Sequence, residues 1–144
     1  MKTKKQYFFI TVSWALVAVC MAVIFAFSAQ GGDTSQAVSD DLTTFLGLPL
    51  SVVRIIRKSA HFLEFTGLSV LIYNALYRTF GTVKPLMTFI LTAAYAATDE
   101  IHQLFVEGRA CRLFDLFIDS CGAATGIAVL TLLIFVYKKL KSAH

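Results

Sequence analysis

Residues 8–27 read FFITVSWALVAVCMAVIFAF, a run without a charged side chain. The hydrocarbon core of a bilayer is about 30 Å thick, and a helix needs roughly 20 mostly apolar residues to cross it. This run meets that need alone. Three more stretches approach it, at about 60–77, 86–105 and 116–137, each broken by ionisable residues near one end. The second carries His61 and Glu64, the third Asp99, Glu100 and His102, and the fourth Asp119. The pattern predicts an all-α fold, an integral membrane four-helix bundle forming a single domain over residues 1–144.

Composition agrees with that class. Hydrophobic residues make up 57% of the 144 residues and charged residues 15%, with mean hydropathy +0.71. Soluble domains average about 45–50% apolar and about 25% charged. The net charge of +4 does not point to nucleic acid, because the cations sit in short clusters beside apolar runs, as topology signals do. Cys20, Cys111 and Cys121 form neither an even-numbered disulfide framework nor a CxxC pair.

Lys2, Lys4 and Lys5 before the first run could head a signal peptide. The run exceeds the apolar stretch of about 7–15 residues usual there, so a retained helix is expected. With the N-terminus in the cytoplasm, the inner side holds Lys2, Lys4, Lys5, Arg78, Lys84, Lys138, Lys139 and Lys141 and no acid. Arg54, Arg57, Lys58, Arg109 and Arg112 then lie outside with all nine acidic residues. Basic bias toward the cytoplasm places both termini inside, in a bacterial inner membrane. Residues 31–47 read as a polar outer loop, opened by Gly31-Gly32 and closed by Pro49, which can start the next helix. The turn over 81–85 is short, so the second and third helices should be antiparallel neighbours.

An ionisable side chain within a span costs about 2.5–3.5 kcal/mol on insertion scales, so each needs a partner or a function. Helical spacing aligns Arg57, His61, Glu64 and Leu68 on one face. Tyr95, Asp99, His102 and Val106 align on the next helix, with Gln103 beside them and Glu100 turned away. Arg112, Asp115, Asp119, Gly122 and Gly126 align on the last, where the two glycines would let a neighbour approach closely. Three polar stripes at one depth predict a polar pocket opening toward the outer leaflet.

Its candidate acid–base groups are His61, Glu64, Asp99, Glu100 and His102. Candidate binding groups are Ser28 and Gln30 at the end of the first helix, with Arg57, Lys58, Gln103, Arg109, Asp115 and Asp119. The cations could hold a phosphate or pyrophosphate headgroup. His61-x-x-Glu64 and Asp99-x-x-His102 are similar in spacing to the Glu-x-x-His pairs of carboxylate-bridged metal bundles. They make His61, Glu64, Asp99, His102 and Asp119 candidates for a divalent metal cofactor. The plainer alternative is that these charges pair across helices and fix the bundle without chemistry. No acid lies in the inner half to relay charge, which weighs against an ion pathway.

Taken together, several segments resemble the VanZ-like family of bacterial membrane proteins. They are Phe27-Ser28-Ala29-Gln30, then Arg57-Lys58-Ser59-Ala60-His61-Phe62-Leu63-Glu64-Phe65, then the stretch from Tyr95 to Phe105 (YAATDEIHQLF) with Gly108-Arg109, and last Asp115-Leu116-Phe117-Ile118-Asp119-Ser120-Cys121-Gly122. Ala29 stands where the family often shows Ser, and Glu107 where a Pro often precedes the Gly-Arg. The resemblance implies a cell-envelope protein, in a family named for a member that raises resistance to the lipoglycopeptide teicoplanin. Its expected partner is a membrane lipid or lipid-linked ligand. It carries over motif positions and no established catalytic roles.

Overall fold

The computed structural model describes residues 2–29, 45, 47, 49–106 and 113–142, except the side chains of Leu50, Val53, Arg54 and Arg57. The expected all-α fold is present. Four long helices, α1 (Lys4–Ser28), α2 (Leu50–Phe80), α3 (Pro85–Gln103) and α4 (Leu113–Ser142), make up the bundle. Among the described residues α2 touches all three other helices, α4 most extensively, whereas α1 and α4 do not meet.

Local chemistry sets the helix ends. Thr3 and Gln6 form a capping box at the start of α1: Gln6 N–H donates to Thr3 Oγ1 at 3.3 Å and Thr3 N–H to Gln6 Oε1 at 2.8 Å. Pro49 precedes α2, and Pro85 occupies the first turn of α3, where a missing N–H costs nothing. Gly81 ends α2 at φ +74°, a left-handed conformation that only glycine adopts cheaply, and its N–H caps the Tyr77 carbonyl at 2.8 Å. The chain then reverses into α3, which makes the two helices antiparallel neighbours as the short turn requires.

The core is built around α2. Phe65, Leu68, Ile72, Ala75 and Leu76 pack with Val17 and Ile24 of α1 and Ala96 of α3. Facing α4, backbones approach closely. A Cβ on Gly126 would lie 2.6 Å from the Thr66 carbonyl oxygen, and one on Gly122 would strike the Phe62 carbonyl oxygen. Thr66 Oγ1 sits 2.7 Å from Phe62 O and 3.0 Å from Gly122 O, so its single proton is shared within α2 and across to α4. This is the small-xxx-small packing that the Gly122/Gly126 spacing predicts.

Polar tethers bind α1 to the bundle along its length. Lys2 Nζ donates to the carbonyls of Arg78 and Thr79 at the end of α2. Trp14 Nε1 donates to Thr79 Oγ1 at 3.0 Å, and the Tyr95 hydroxyl to the Met21 carbonyl at 2.6 Å.

Helices α1 and α4 are long and apolar enough to cross a membrane. Most of their apolar surface faces outward, including Phe8, Leu16 and Val23 on α1 and Leu132, Phe135 and Val136 on α4. Exposed apolar faces of this extent mark a surface covered by something other than water. Helices α2 and α3 fall at the positions expected for the second and third spans, but their polar residues keep them out of that class. The third helix also stops at Gln103, so Val106, expected on its stripe, lies past the helix end.

Candidate functional site

The acidic side chains converge where α1 and α3 finish and α4 begins. Ser28, the last residue of α1, is fully buried and donates to Asp99 Oδ2 on α3 at 2.7 Å. Gln103, one turn beyond Asp99, donates to the same oxygen at 3.2 Å. Asp99 is 2% exposed, so this carboxylate is held by two donors with almost no water around it. Asp119 projects from the second turn of α4 and is also 2% exposed. It lies within electrostatic reach of Glu100, Asp99, Asp115 and Glu64.

Glu100 corrects one expectation. Helical spacing turns it off the Asp99 stripe, yet it is only 3% exposed and lies within electrostatic reach of Asp119. The reason is that α3 packs against α4 as well as α1 and α2, and Asp119 of α4 stands within electrostatic reach of Glu100. Glu100 therefore belongs to the cluster.

Other expected residues are placed less centrally. His61 Nδ1 approaches Glu64 Oε2 at 3.5 Å, one turn apart on α2, with both side chains about a third exposed. Lys58 Nζ pairs with Asp115 Oδ1 at 2.6 Å and stands 4.6 Å from the centroid of the Phe114 ring. Gln30, Arg109 and Arg112 lie outside the described residues, as does the Arg57 side chain. The one described cation of the expected phosphate-holding set, Lys58, is thus already engaged by a carboxylate.

Among the described residues, Asp99 Oδ1, His102 Nδ1 and Asp119 Oδ1 are buried without a hydrogen-bond partner, and Glu64 Oε2 has only the His61 approach at 3.5 Å. Such atoms are rare in folded proteins and cost roughly 1–3 kcal/mol each when left unmade. Here the unpartnered atoms come from α3 and α4 and gather at one end. Among the described residues no three His, Cys, Asp or Glu side chains are placed to hold a metal ion, so the candidate set His61, Glu64, Asp99, His102 and Asp119 does not assemble into ligands.

Some of the site escapes sequence reading. Phe25 packs on His102, ring centroids 4.2 Å apart, and shapes one wall. Its spacing of three from Ser28 puts it on the same face of α1, a signal that could have found it. The Thr66 bridge to Gly122 has no such signal, because it depends on which helices become neighbours.

The Lys58–Asp115 pair offers a prediction about what is not essential. Both side chains are more than 30% exposed, and exposed ion pairs contribute about 0–1 kcal/mol. Lys58→Ala is expected to change thermal stability by less than about 1 kcal/mol in a detergent melting experiment. A larger loss would make the pair a structural anchor.

No curated protein and no solved structure shows significant similarity to the chain. The family model described as VanZ/LLP1 matches residues 13–135. That match takes in α2 and α3 whole, most of α1 and α4, and the whole described acidic cluster, and the chain belongs to the VanZ/LLP1 family.

Proposed function

We propose that this protein is a multi-pass, single-domain protein of the bacterial inner membrane whose polar cluster binds or modifies an envelope lipid or lipoglycopeptide. Both termini lie in the cytoplasm and the acidic cluster lies toward the outer leaflet. The observation that carries the reading is the set of unpartnered buried atoms Asp99 Oδ1, His102 Nδ1 and Asp119 Oδ1, drawn from α3 and α4 among the described residues. A cluster serving only to lock the bundle would have its hydrogen bonds made internally. The opposite end, with Arg78, Lys84, Lys138, Lys139 and Lys141, is basic and supports the orientation. Family membership supports the envelope setting and makes teicoplanin tolerance the phenotype to examine.

A second reading, acid–base catalysis on a headgroup, is favoured by one feature. His102 Nδ1 is buried without a partner while its ring rests on Phe25, which leaves a nitrogen free to take or give a proton.

The test is teicoplanin susceptibility of a sensitive host expressing wild-type protein, beside equally expressed His61→Ala and His102→Ala variants. Wild type is expected to raise the inhibitory concentration and both variants to lose the effect. Tolerance unchanged in both variants would move the function away from the cluster. If wild type gives no tolerance and purified protein retains neither lipid nor drug, the reading fails.

A further inference from the structure

We infer that the described cluster recognises a primary ammonium group carried by its ligand, an inference that rests on the lipid-binding reading above. The argument begins with which hydrogen-bonding groups are missing. Glu64 Oε2, Asp99 Oδ1 and Asp119 Oδ1 are carboxylate oxygens, which accept hydrogen bonds and carry negative charge when ionised. His102 Nδ1 accepts as well when the ring proton sits on Nε2. What the described residues of the cluster lack is free donors.

Among the described residues the donors nearby are engaged, including His61 Nδ1, which faces Glu64 Oε2 at 3.5 Å. Ser28 and Gln103 both serve Asp99 Oδ2, and Lys58 serves Asp115. Asp99 and Asp119 are each 98% removed from solvent, so bulk water does not supply the deficit cheaply. The unsatisfied Asp99 and Asp119 oxygens stand on α3 and α4, and Glu64 of α2, paired only with His61, lies within electrostatic reach of both. The group that answers such a set is compact, cationic and bears several N–H bonds pointing in different directions. A primary ammonium has three such donors on one atom, whereas a guanidinium presents its donors in a plane. A phosphate brought to the same place would meet carboxylates and be repelled.

The chemistry could come from an aminated lipid headgroup or from a free amine, and the experiment separates the two. Full-length protein purified in detergent is mixed with vesicles containing phosphatidylethanolamine, its N-acetylated derivative, phosphatidylcholine and phosphatidylglycerol in equal amounts. After repurification, retained lipids are counted by mass spectrometry. Binding of ethylammonium is measured separately by calorimetry.

Acetylation removes the charge, and the choline headgroup keeps the charge but has no N–H. Phosphatidylethanolamine is therefore expected to be retained roughly tenfold over both, the size of one charge-assisted hydrogen bond. Asp119→Asn and Asp99→Asn are expected to abolish the preference. Thr125→Ala, on an exposed face of α4, should keep it. Size-exclusion profiles matching wild type establish that the Asn variants are folded, and Glu64→Gln serves as a third probe if either is not.

Retention of all four lipids to the same degree overturns the ammonium inference and leaves lipid binding standing. A preference that survives all three substitutions also overturns it, since recognition would then lie elsewhere. If no lipid is retained but ethylammonium binds and Asp119→Asn abolishes that, ammonium recognition stands and the lipid reading falls. Failure to bind either lipid or ethylammonium removes both.

Discussion

Gly126→Leu is expected to destabilise the protein more than any single change away from the acidic cluster, by on the order of 3 kcal/mol or more. Even a lone Cβ there would stand 2.6 Å from the Thr66 carbonyl oxygen and nearer still to Ser69 Oγ. The obstacle is partly backbone, so rotamer adjustment alone cannot relieve it. Separating α2 from α4 would also stretch the shared Thr66 hydrogen bond to Gly122. Interfaces between membrane helices depend on such close packing, because lipid offers no hydrophobic drive to hold them together. Gly126→Ala should cost less than Leu, on the order of 1–3 kcal/mol. Gly67, also helical, is the control: a Cβ there meets nothing within 4 Å. Gly67→Ala should be neutral or stabilise by up to about 1 kcal/mol through helix propensity. The check is the melting temperature by size-exclusion after heating. A Gly126→Leu protein that melts with wild type would show that α2 and α4 do not pack this way.

The second large effect is expected at Asp99, where two substitutions should separate stability from function. Asp99→Leu removes the acceptor for Ser28 and Gln103 together, leaving two buried donors without a partner. At about 1–3 kcal/mol each, the loss should total on the order of 2–6 kcal/mol, reduced if Ser28 turns back to a carbonyl of its own helix. Asp99→Asn keeps an oxygen for both donors but places an NH2 where the unpartnered Oδ1 stands. It should fold within about 1 kcal/mol of wild type and still lose the activity of the cluster. Paired melting and susceptibility measurements check this. If Asp99→Asn keeps full activity, the unpartnered oxygen has no role in function.

The helices and the end of the bundle that collects acids could be read from the chain, because both follow from apolar run length and the 3.6-residue period. Asp99, His102, Gln103 and Asp119 were legible on that basis. Glu100 was named as a candidate, but its burial was not legible, because it depends on which helices pack against α3. The same applies to the Tyr95 hydroxyl on the Met21 carbonyl and to Phe25 on His102. A stripe gives the direction in which a side chain leaves its own helix. It does not say how many neighbours that helix will have or which backbone atoms they present.

The division between two apolar helices and two polar ones bears on how the chain is made. On the four-span reading, α1 carries enough hydrophobicity to leave the translocon alone, and so does α4. Helices α2 and α3 carry the acids and histidines and do not reach that standard. They would enter the bilayer as a hairpin turned at Gly81, against an α1 already in place to offer Ser28 to Asp99. Helix α4 follows and brings Asp119 within electrostatic reach of the buried Glu100. On that reading α4 both retains the polar pair in the membrane and completes the cluster, so a chain interrupted before α4 would leave its acids facing lipid.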